Sequence, residues 1–237
     1  MNTSAILKTA GHAEDISEMA SSLLMEKNDG NLTEFEVFIP EISKDKRYLI
    51  VKRAFDVSVS IVAIILLAIP MIIIAILIRF DSPGPALFRQ ERLGKDGRSF
   101  TILKFRTMQM DAEKEGPQWA VKADPRCTRL GKKLRQSHMD EIPQLWNILK
   151  GEMSFVGPRP ERACFYEKFE TYIHGFSKRL LVKPGLTGYA QVNGGYELKP
   201  EEKIVYDIAY IKGQSIALDL WCMFKTVKLV FTHEGAR

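Results

Sequence analysis

Val57-Ser58-Val59-Ser60-Ile61-Val62-Ala63-Ile64-Ile65-Leu66-Leu67-Ala68-Ile69-Pro70-Met71-Ile72-Ile73-Ile74-Ala75-Ile76-Leu77-Ile78 runs without one charged side chain. About 20 apolar residues suffice to cross the hydrocarbon core of a bilayer, and a buried core helix seldom needs so long a run. The stretch predicts a membrane-embedded helix over residues 47–80. Pro70 stands inside it, where it removes a backbone donor and crowds the preceding turn, so a kink is expected. Lys52 and Arg53 precede the run and Arg79 follows it, so the flanking charge sets no orientation for a straight span. Cations at both ends suit a re-entrant helix that bends at Pro70 and returns to the same face. Such a bend requires partners for the freed backbone groups. A kinked helix that crosses is the competing geometry.

The chain has 237 residues and a net charge of +5, enough length for one sizeable core with an appendage. The charge suits phosphates or an anionic membrane surface without choosing between them. Cys127, Cys164 and Cys222 are far apart and form no CxxC, which argues against a zinc site or a disulfide framework. They read as structural thiols in a reducing compartment. Interspersed charge and the lack of a nucleic-acid motif argue against such a partner.

Residues 1–46 differ from the rest. Acids recur (Glu14, Asp15, Glu18, Glu34, Glu36) and periodicity is poor, so this is read as a partly ordered extension. Within it a short helix over Ile16–Met25 and a brief strand over Phe35–Ile39 are expected. There is no apolar core behind a basic start, so it is not read as a signal peptide.

After the apolar run, Asp81-Ser82-Pro83-Gly84-Pro85 is turn chemistry. Ala86–Phe88 suggests a short strand, Asp96-Gly97 a hairpin turn, and Ser99–Met108 a second strand. Period two puts Lys104 and Arg106 on one face, which suits either an anionic ligand or a solvated edge. Residues 111–126 read as a loop or broken helix.

Arg135-Gln136-Ser137-His138-Met139-Asp140-Glu141-Ile142-Pro143-Gln144-Leu145-Trp146-Asn147-Ile148-Leu149-Lys150-Gly151 is the chemical centre. Ile142, Leu145, Ile148 and Leu149 fall at helical spacing, and Gly151 is a stop signal. Proline is tolerated only in a first turn, so Pro143 favours Asp140 as N-cap and Glu141 as the first helical residue. Asp140 could simply cap. Alternatively, a helix N-terminus and the nearby Arg135 could hold phosphate, making an adjacent carboxylate a nucleophile or metal ligand.

Downstream, Pro158-Arg159-Pro160 holds Arg159 on a stiff, extended backbone. It is either a preorganised phosphate fork or a rigid surface loop. Phe165–Leu181 carries a helical pattern, Lys183–Gly188 a turn-rich loop, and Tyr189–Asn193 a strand-like pattern. Pro200 opens a helix. Ile216–Phe231 forms a last helix, suited to the core or to the membrane interface.

Together these motifs resemble the bacterial sugar transferase family, the monotopic polyprenyl-phosphate phosphoglycosyl transferases. The matching stretches are Lys52-Arg53-Ala54-Phe55-Asp56, Asp81–Pro85, Lys104-Phe105-Arg106-Thr107-Met108, Asp140-Glu141-Ile142-Pro143-Gln144, Ser154–Pro160, Lys183–Gly188 and Gln191-Val192-Asn193-Gly194. The match runs from about Tyr48 to the C-terminus and leaves the extension outside. The family's membrane helix usually breaks at Ser and Pro, whereas here Ile69 precedes Pro70.

The resemblance implies an α+β fold: a small membrane-associated α/β catalytic domain (81–237), an N-terminal re-entrant helix and interfacial amphipathic helices. It implies transfer of a sugar-1-phosphate from a UDP-sugar to undecaprenyl (polyprenyl) phosphate with release of UMP. This would start an exopolysaccharide, capsule or related glycan on the cytoplasmic face of the bacterial membrane. Asp140 would be the catalytic nucleophile and Glu141 a Mg²⁺ ligand. Lys104, Arg106, Arg135 and Arg159 would contact phosphate or nucleotide. Galactose or glucose is the sugar favoured, and a homo-oligomer is left open. The alternatives are a membrane-tethered binding or scaffold protein, and an enzyme of direct transfer with no covalent intermediate.

Overall fold

The computed structural model describes residues 23–28, 33–38, 45–114, 116, 124–194 and 198–232. The helix expected over Ile16–Met25 therefore lies largely outside the described residues, as does much of the loop expected over 111–126. The brief strand expected in the extension is found, shifted towards its N-terminus. β1 (Leu24–Asn28) and β2 (Thr33–Val37) form an antiparallel hairpin.

α1 (Lys46–Asp81) is one helix of 36 residues. Asp45 starts it, its side chain accepting from the Arg47 N–H, and Ser82 ends it by donating its N–H to the Ile78 carbonyl. The helix continues through Pro70. Ile65, Leu66, Ile69 and Ile72 on its middle turns are exposed. So broad an apolar surface marks a helix that meets something other than water. It is also the one described helix long and apolar enough to cross a membrane.

β3 (Leu87–Leu93) and β4 (Ser99–Phe105) make the expected hairpin, Leu93 opposite Ser99. Asp96, with φ of 57°, takes the left-handed turn that Asp-Gly favours. The second strand stops at Phe105, short of Met108, its ladder closed by the Arg106 N–H on the Ala86 carbonyl. α2 (Arg129–Gln136) starts at Thr128, whose hydroxyl accepts from the Gly131 N–H. A 3₁₀ segment (Met139–Gln144) leads into α3 (Leu145–Lys150), and β5 (Ser154–Val156) follows.

Three expectations fail beyond this point. The single helix predicted over Phe165–Leu181 is α4 (Ala163–Glu170), the short strand β6 (Ile173–His174) and a 3₁₀ segment (Phe176–Leu181). The break is at Gly175, whose φ of 94° is left-handed. β6 instead pairs in parallel with β2. The loop predicted over Lys183–Gly188 contains β7 (Gly185–Thr187), parallel to β5. That pairing requires glycine, because a Cβ on Gly185 would lie 2.1 Å from the Gly157 nitrogen. The strand predicted over Tyr189–Asn193 is the helix α5 (Tyr189–Gly194), its Val192 N–H bonded to the Gly188 carbonyl. Two rings, Tyr206 and Trp221, flank Tyr189 and draw it inward.

α6 (Pro200–Gly213) begins at Pro200 as expected, and Glu202 accepts from the Lys199 N–H. α7 (Ile216–Thr232) closes the described chain. Ile204, Ile208 and Ile211 of α6 are fully enclosed in the main core. α1 joins that core through Phe55, Val59 and Ile64. Near its other end, Ile74 and Ile78 form a smaller core with Phe105 and Leu134.

Polar bonds lock the N-terminal third of α1 in place. Tyr48 and Lys52 donate to one oxygen of Asp219, at 2.9 and 2.7 Å. Arg53 donates to the Ile148 and Leu149 carbonyls, both at 2.7 Å. It thereby helps cap α3, sharing the Ile148 carbonyl with the Gly151 N–H and adding a donor at Leu149. The buried Asp56 accepts from the Ser154 hydroxyl and the Phe155 N–H.

Candidate active site

The end of β4, the end of α2, the 3₁₀ segment and the Pro158–Pro160 strap converge on a cavity of about 410 Å³. Lys104, Arg135, Asp140, Glu141 and Arg159 all line it. Two residues beyond α2, His138 with φ of 55° turns the chain sharply. The next residues coil as a 3₁₀ turn, which places Asp140 and Glu141 in its first turn. Asp140 is therefore not the N-cap expected from Pro143. That position is His138, and α3 proper starts only at Leu145. Pro143 is accommodated because its missing donor falls within the 3₁₀ turn, before the α-helical ladder begins.

Asp140 and Glu141 are each 8 % exposed, yet their surroundings differ. Lys104 Nζ and Arg159 Nη2 both reach Glu141 Oε1, each at 2.6 Å. Burial alone would raise the Glu141 pKa, but Arg159 and Lys104 outweigh it and hold this carboxyl well below the usual range. The Asp140 carboxylate accepts no hydrogen bond from any described residue. Burial, followed by the charge of Glu141, pushes it up to about 6, against the pull of Lys104, Arg135 and Arg159. Adjacent carboxylates in one sequence are thus made chemically unlike. One is neutralised by two cations and the other is held in their field without being bonded, an environment suited to a nucleophile.

Glu141 Oε2 is likewise without a hydrogen-bond donor among the described residues. Together with Asp140 it is the carboxylate oxygen most available to a hard cation. No cluster of three His, Cys, Asp or Glu side chains that could cage a metal occurs among the described residues. Burial lowers the pKa of Lys104 in spite of Glu141. Arg135 leans into the cavity with its Nε donating to Thr107 Oγ1 at 2.9 Å.

Arg106 borders the same cavity but has different partners. Its guanidinium donates to the Pro83 carbonyl, and at 2.7 Å to the Ser82 carbonyl. Those bonds seal the end of α1, so this guanidinium holds the helix terminus while bordering the cavity. The alternation of the strand could not reveal this, because Arg106 lies beyond the last paired residue of β4.

Sequence reasoning missed several cavity residues. Arg92 pairs with Glu161 at 3.2 Å, and Arg162 with Glu113 at 2.9 Å. It also missed the buried pair Arg179–Asp207, at 2.6 Å. Their signal was faint, because each pair joins segments remote in sequence and no spacing rule connects them.

A family model described as bacterial sugar transferase matches residues 47–233. The chain is 42% identical over 193 residues to the UDP-N-acetylgalactosamine-undecaprenyl-phosphate N-acetylgalactosaminephosphotransferase of Aeromonas hydrophila, covering 80% of this chain and 46% of that protein. It is 40% identical to the UDP-glucose:undecaprenyl-phosphate glucose-1-phosphate transferase of Klebsiella pneumoniae, covering 79% and 42%. Against the galactosyl transferase CpsE of Streptococcus agalactiae serotype III (strain NEM316) it is 37% identical, covering 80% and 44%. The matched region thus spans less than half the length of each of these relatives. With the family match running from the start of α1 to the end of α7, the chain belongs to the bacterial sugar transferase family.

Proposed function

We propose that this chain transfers a sugar-1-phosphate from a UDP-sugar to a polyprenyl phosphate, undecaprenyl phosphate, in two half-reactions through Asp140. The observation that carries the reading is the unbonded Asp140 carboxylate beside a Glu141 tied to Lys104 and Arg159. In the first step an Asp140 oxygen attacks the phosphorus that bears the sugar. The bond from that phosphorus to the bridging oxygen breaks, and UMP leaves with the electron pair. An acyl phosphate remains on Asp140. In the second step an oxygen of the lipid phosphate attacks the same phosphorus, and Asp140 departs as a carboxylate. Lys104, Arg135 and Arg159 offset the repulsion between carboxylate and phosphate and stabilise charge that develops in flight.

Mg²⁺ fits the donor set, since it binds through one or two carboxylates with the rest of its shell from phosphate and water. Glu141 Oε2 would hold it, and when bound it supplies further neutralisation of the pyrophosphate. The names of the three relatives divide among N-acetylgalactosamine, glucose and galactose, so the sugar stays open, with galactose or glucose favoured.

For the membrane, we read α1 as re-entrant and the catalytic unit as cytoplasmic. Thirty-six residues would reach about 54 Å if straight, well beyond a hydrocarbon core of about 30 Å. Yet Tyr48, Lys52 and Arg53 at one end, and Ile78 and Ser82 at the other, bond to the same unit. A crossing rod would separate those ends. The apolar residues Leu220, Phe224 and Val227, exposed along α7, would extend the same interface.

The test incubates the protein with Mg²⁺ and UDP-sugars labelled in the sugar, without lipid acceptor. Label should survive denaturation on the peptide holding Asp140 and be absent from Asp140→Asn. Product formation with no protein-bound label would mean direct transfer. No UMP from any UDP-sugar would leave a binding or scaffold protein.

A further inference from the structure

We infer that one face of α6 is the template that aims Arg159 at Glu141, and that Arg179 is the positioning residue through which it acts. This deepens the proposed reaction and rests on the role given there to Arg159. Lys203, Asp207 and Tyr210 stand at i, i+4 and i+7 on α6, one face of a helix. Tyr210 and Lys203 meet the strap from Val156 to Glu161 directly, and Asp207 reaches it through Arg179. The Tyr210 hydroxyl donates to the Val156 carbonyl at 3.0 Å. Asp207 accepts from Arg179 Nε at 2.6 Å, and Arg179 Nη2 donates to the Arg159 carbonyl at 3.0 Å. Lys203 Nζ lies 3.8 Å from a Glu161 oxygen. The strap is thus held at its start, at Arg159 and just beyond it.

Arg179 is 1 % exposed and Asp207 is as deeply buried. Arg179 also lies over the Phe176 and Tyr166 rings, while its Nη1 has no hydrogen-bond partner among the described residues. A buried charge pair of this kind is poor evidence of stability, because desolvation offsets the attraction. What it does supply is direction. The pair fixes a guanidinium whose one remaining bond goes to the backbone of the residue that grips Glu141. The flanking Pro158 and Pro160 stiffen that backbone, so holding the carbonyl sets the starting point of the Arg159 side chain.

Arg179→Lys keeps the charge opposite Asp207 but cannot hold Asp207 and the Arg159 carbonyl together. The coupling between Arg159 and Glu141 is measured first, as a double-mutant cycle in thermal unfolding with Arg159→Gln and Glu141→Gln. It should shrink at least twofold in the Arg179→Lys background. An unchanged coupling overturns the inference whether or not the protein is active. Should Arg179→Lys not fold, the same cycle is run on Asp207→Asn, which loosens Arg179 while keeping an acceptor, with the same two outcomes.

The kinetic arm measures kcat/KM for UDP-sugar. Arg179→Lys should cost tenfold or more in the native background and less than twofold once Arg159 is already Gln. Equal losses in both backgrounds would mean a general structural role and would overturn the inference. Reduced coupling in a protein that releases no UMP would instead overturn the proposed reaction and leave the positioning standing.

Discussion

Replacing Asp140 by Asn should stabilise the protein while stopping turnover. Asp140 is buried and accepts no hydrogen bond from a described residue, so its charge is held at a cost to the fold. Its carboxyl rises from an ordinary 3.8 to about 6. At about 1.4 kcal/mol per pH unit, that rise corresponds to about 3 kcal/mol. The sign follows from proton counts. Below the unfolded value both states hold the proton, and the cost is absent. Between that value and about 6 the folded state binds more protons than the unfolded one, so stability falls as pH rises. Above the folded value the cost is complete. Asn resembles the neutral acid and never incurs it. Its advantage should be small at about pH 4 and complete at about pH 7.5. In a chain of this size about 3 kcal/mol corresponds to a Tm gain of roughly 6–12 °C. The assay is thermal unfolding in detergent with EDTA, so that no divalent cation neutralises the site. An Asn variant that melts at or below the wild type at about pH 7.5 refutes the account. So does a gain of equal size at both pH values.

Three further outcomes are expected. Arg159→Lys retains charge but loses the planar fork, and kcat/KM should drop at least tenfold, about 1.4 kcal/mol; a change within about twofold removes Arg159 from phosphate binding. Arg106→Gln should cost about 2–4 kcal/mol of stability through the lost bonds to the α1 terminus, with KM for UDP-sugar unchanged; a raised KM at constant Tm would return Arg106 to the substrate. Cysteines placed at Arg47 and Asp81 should both be protected from an impermeant reagent in intact cells, and labelling of one site alone would mean that α1 crosses.

The legible parts of this chain were those governed by local rules. An uninterrupted apolar run announces α1, and Asp96-Gly97 announces its hairpin, because each depends on few neighbours. Lys104, Asp140, Glu141 and Arg159 were found by residue type and motif, and the fold brings them to one cavity. The errors fall where tertiary contacts decide. A three-residue strand such as β7 exists only because β5 lies beside it. Tyr189–Asn193 alternates like a strand but is coiled by its packing against α6 and α7. That Arg106 also seals the end of α1 was not legible, because nothing in the sequence shows its guanidinium reaching Ser82. Arg179 and Asp207 are 28 positions apart, beyond the reach of any periodicity.

The cap that Arg53 places on α3 has a consequence for how the molecule is made. The helix that leads from the paired carboxylates Asp140 and Glu141 is finished by a side chain from the long apolar helix. Asp56 does the same for β5. A catalytic unit released by truncation before Pro83 would lack those partners and expose the inner face left by Phe55 and Val59. Cutting away α1 to solubilise the protein should therefore yield an incomplete fold. During biosynthesis α1 emerges before the segments that line the cavity, so on the proposed membrane reading insertion would come before the site is assembled. On that reading, the cavity would then be completed only on a chain already at the bilayer.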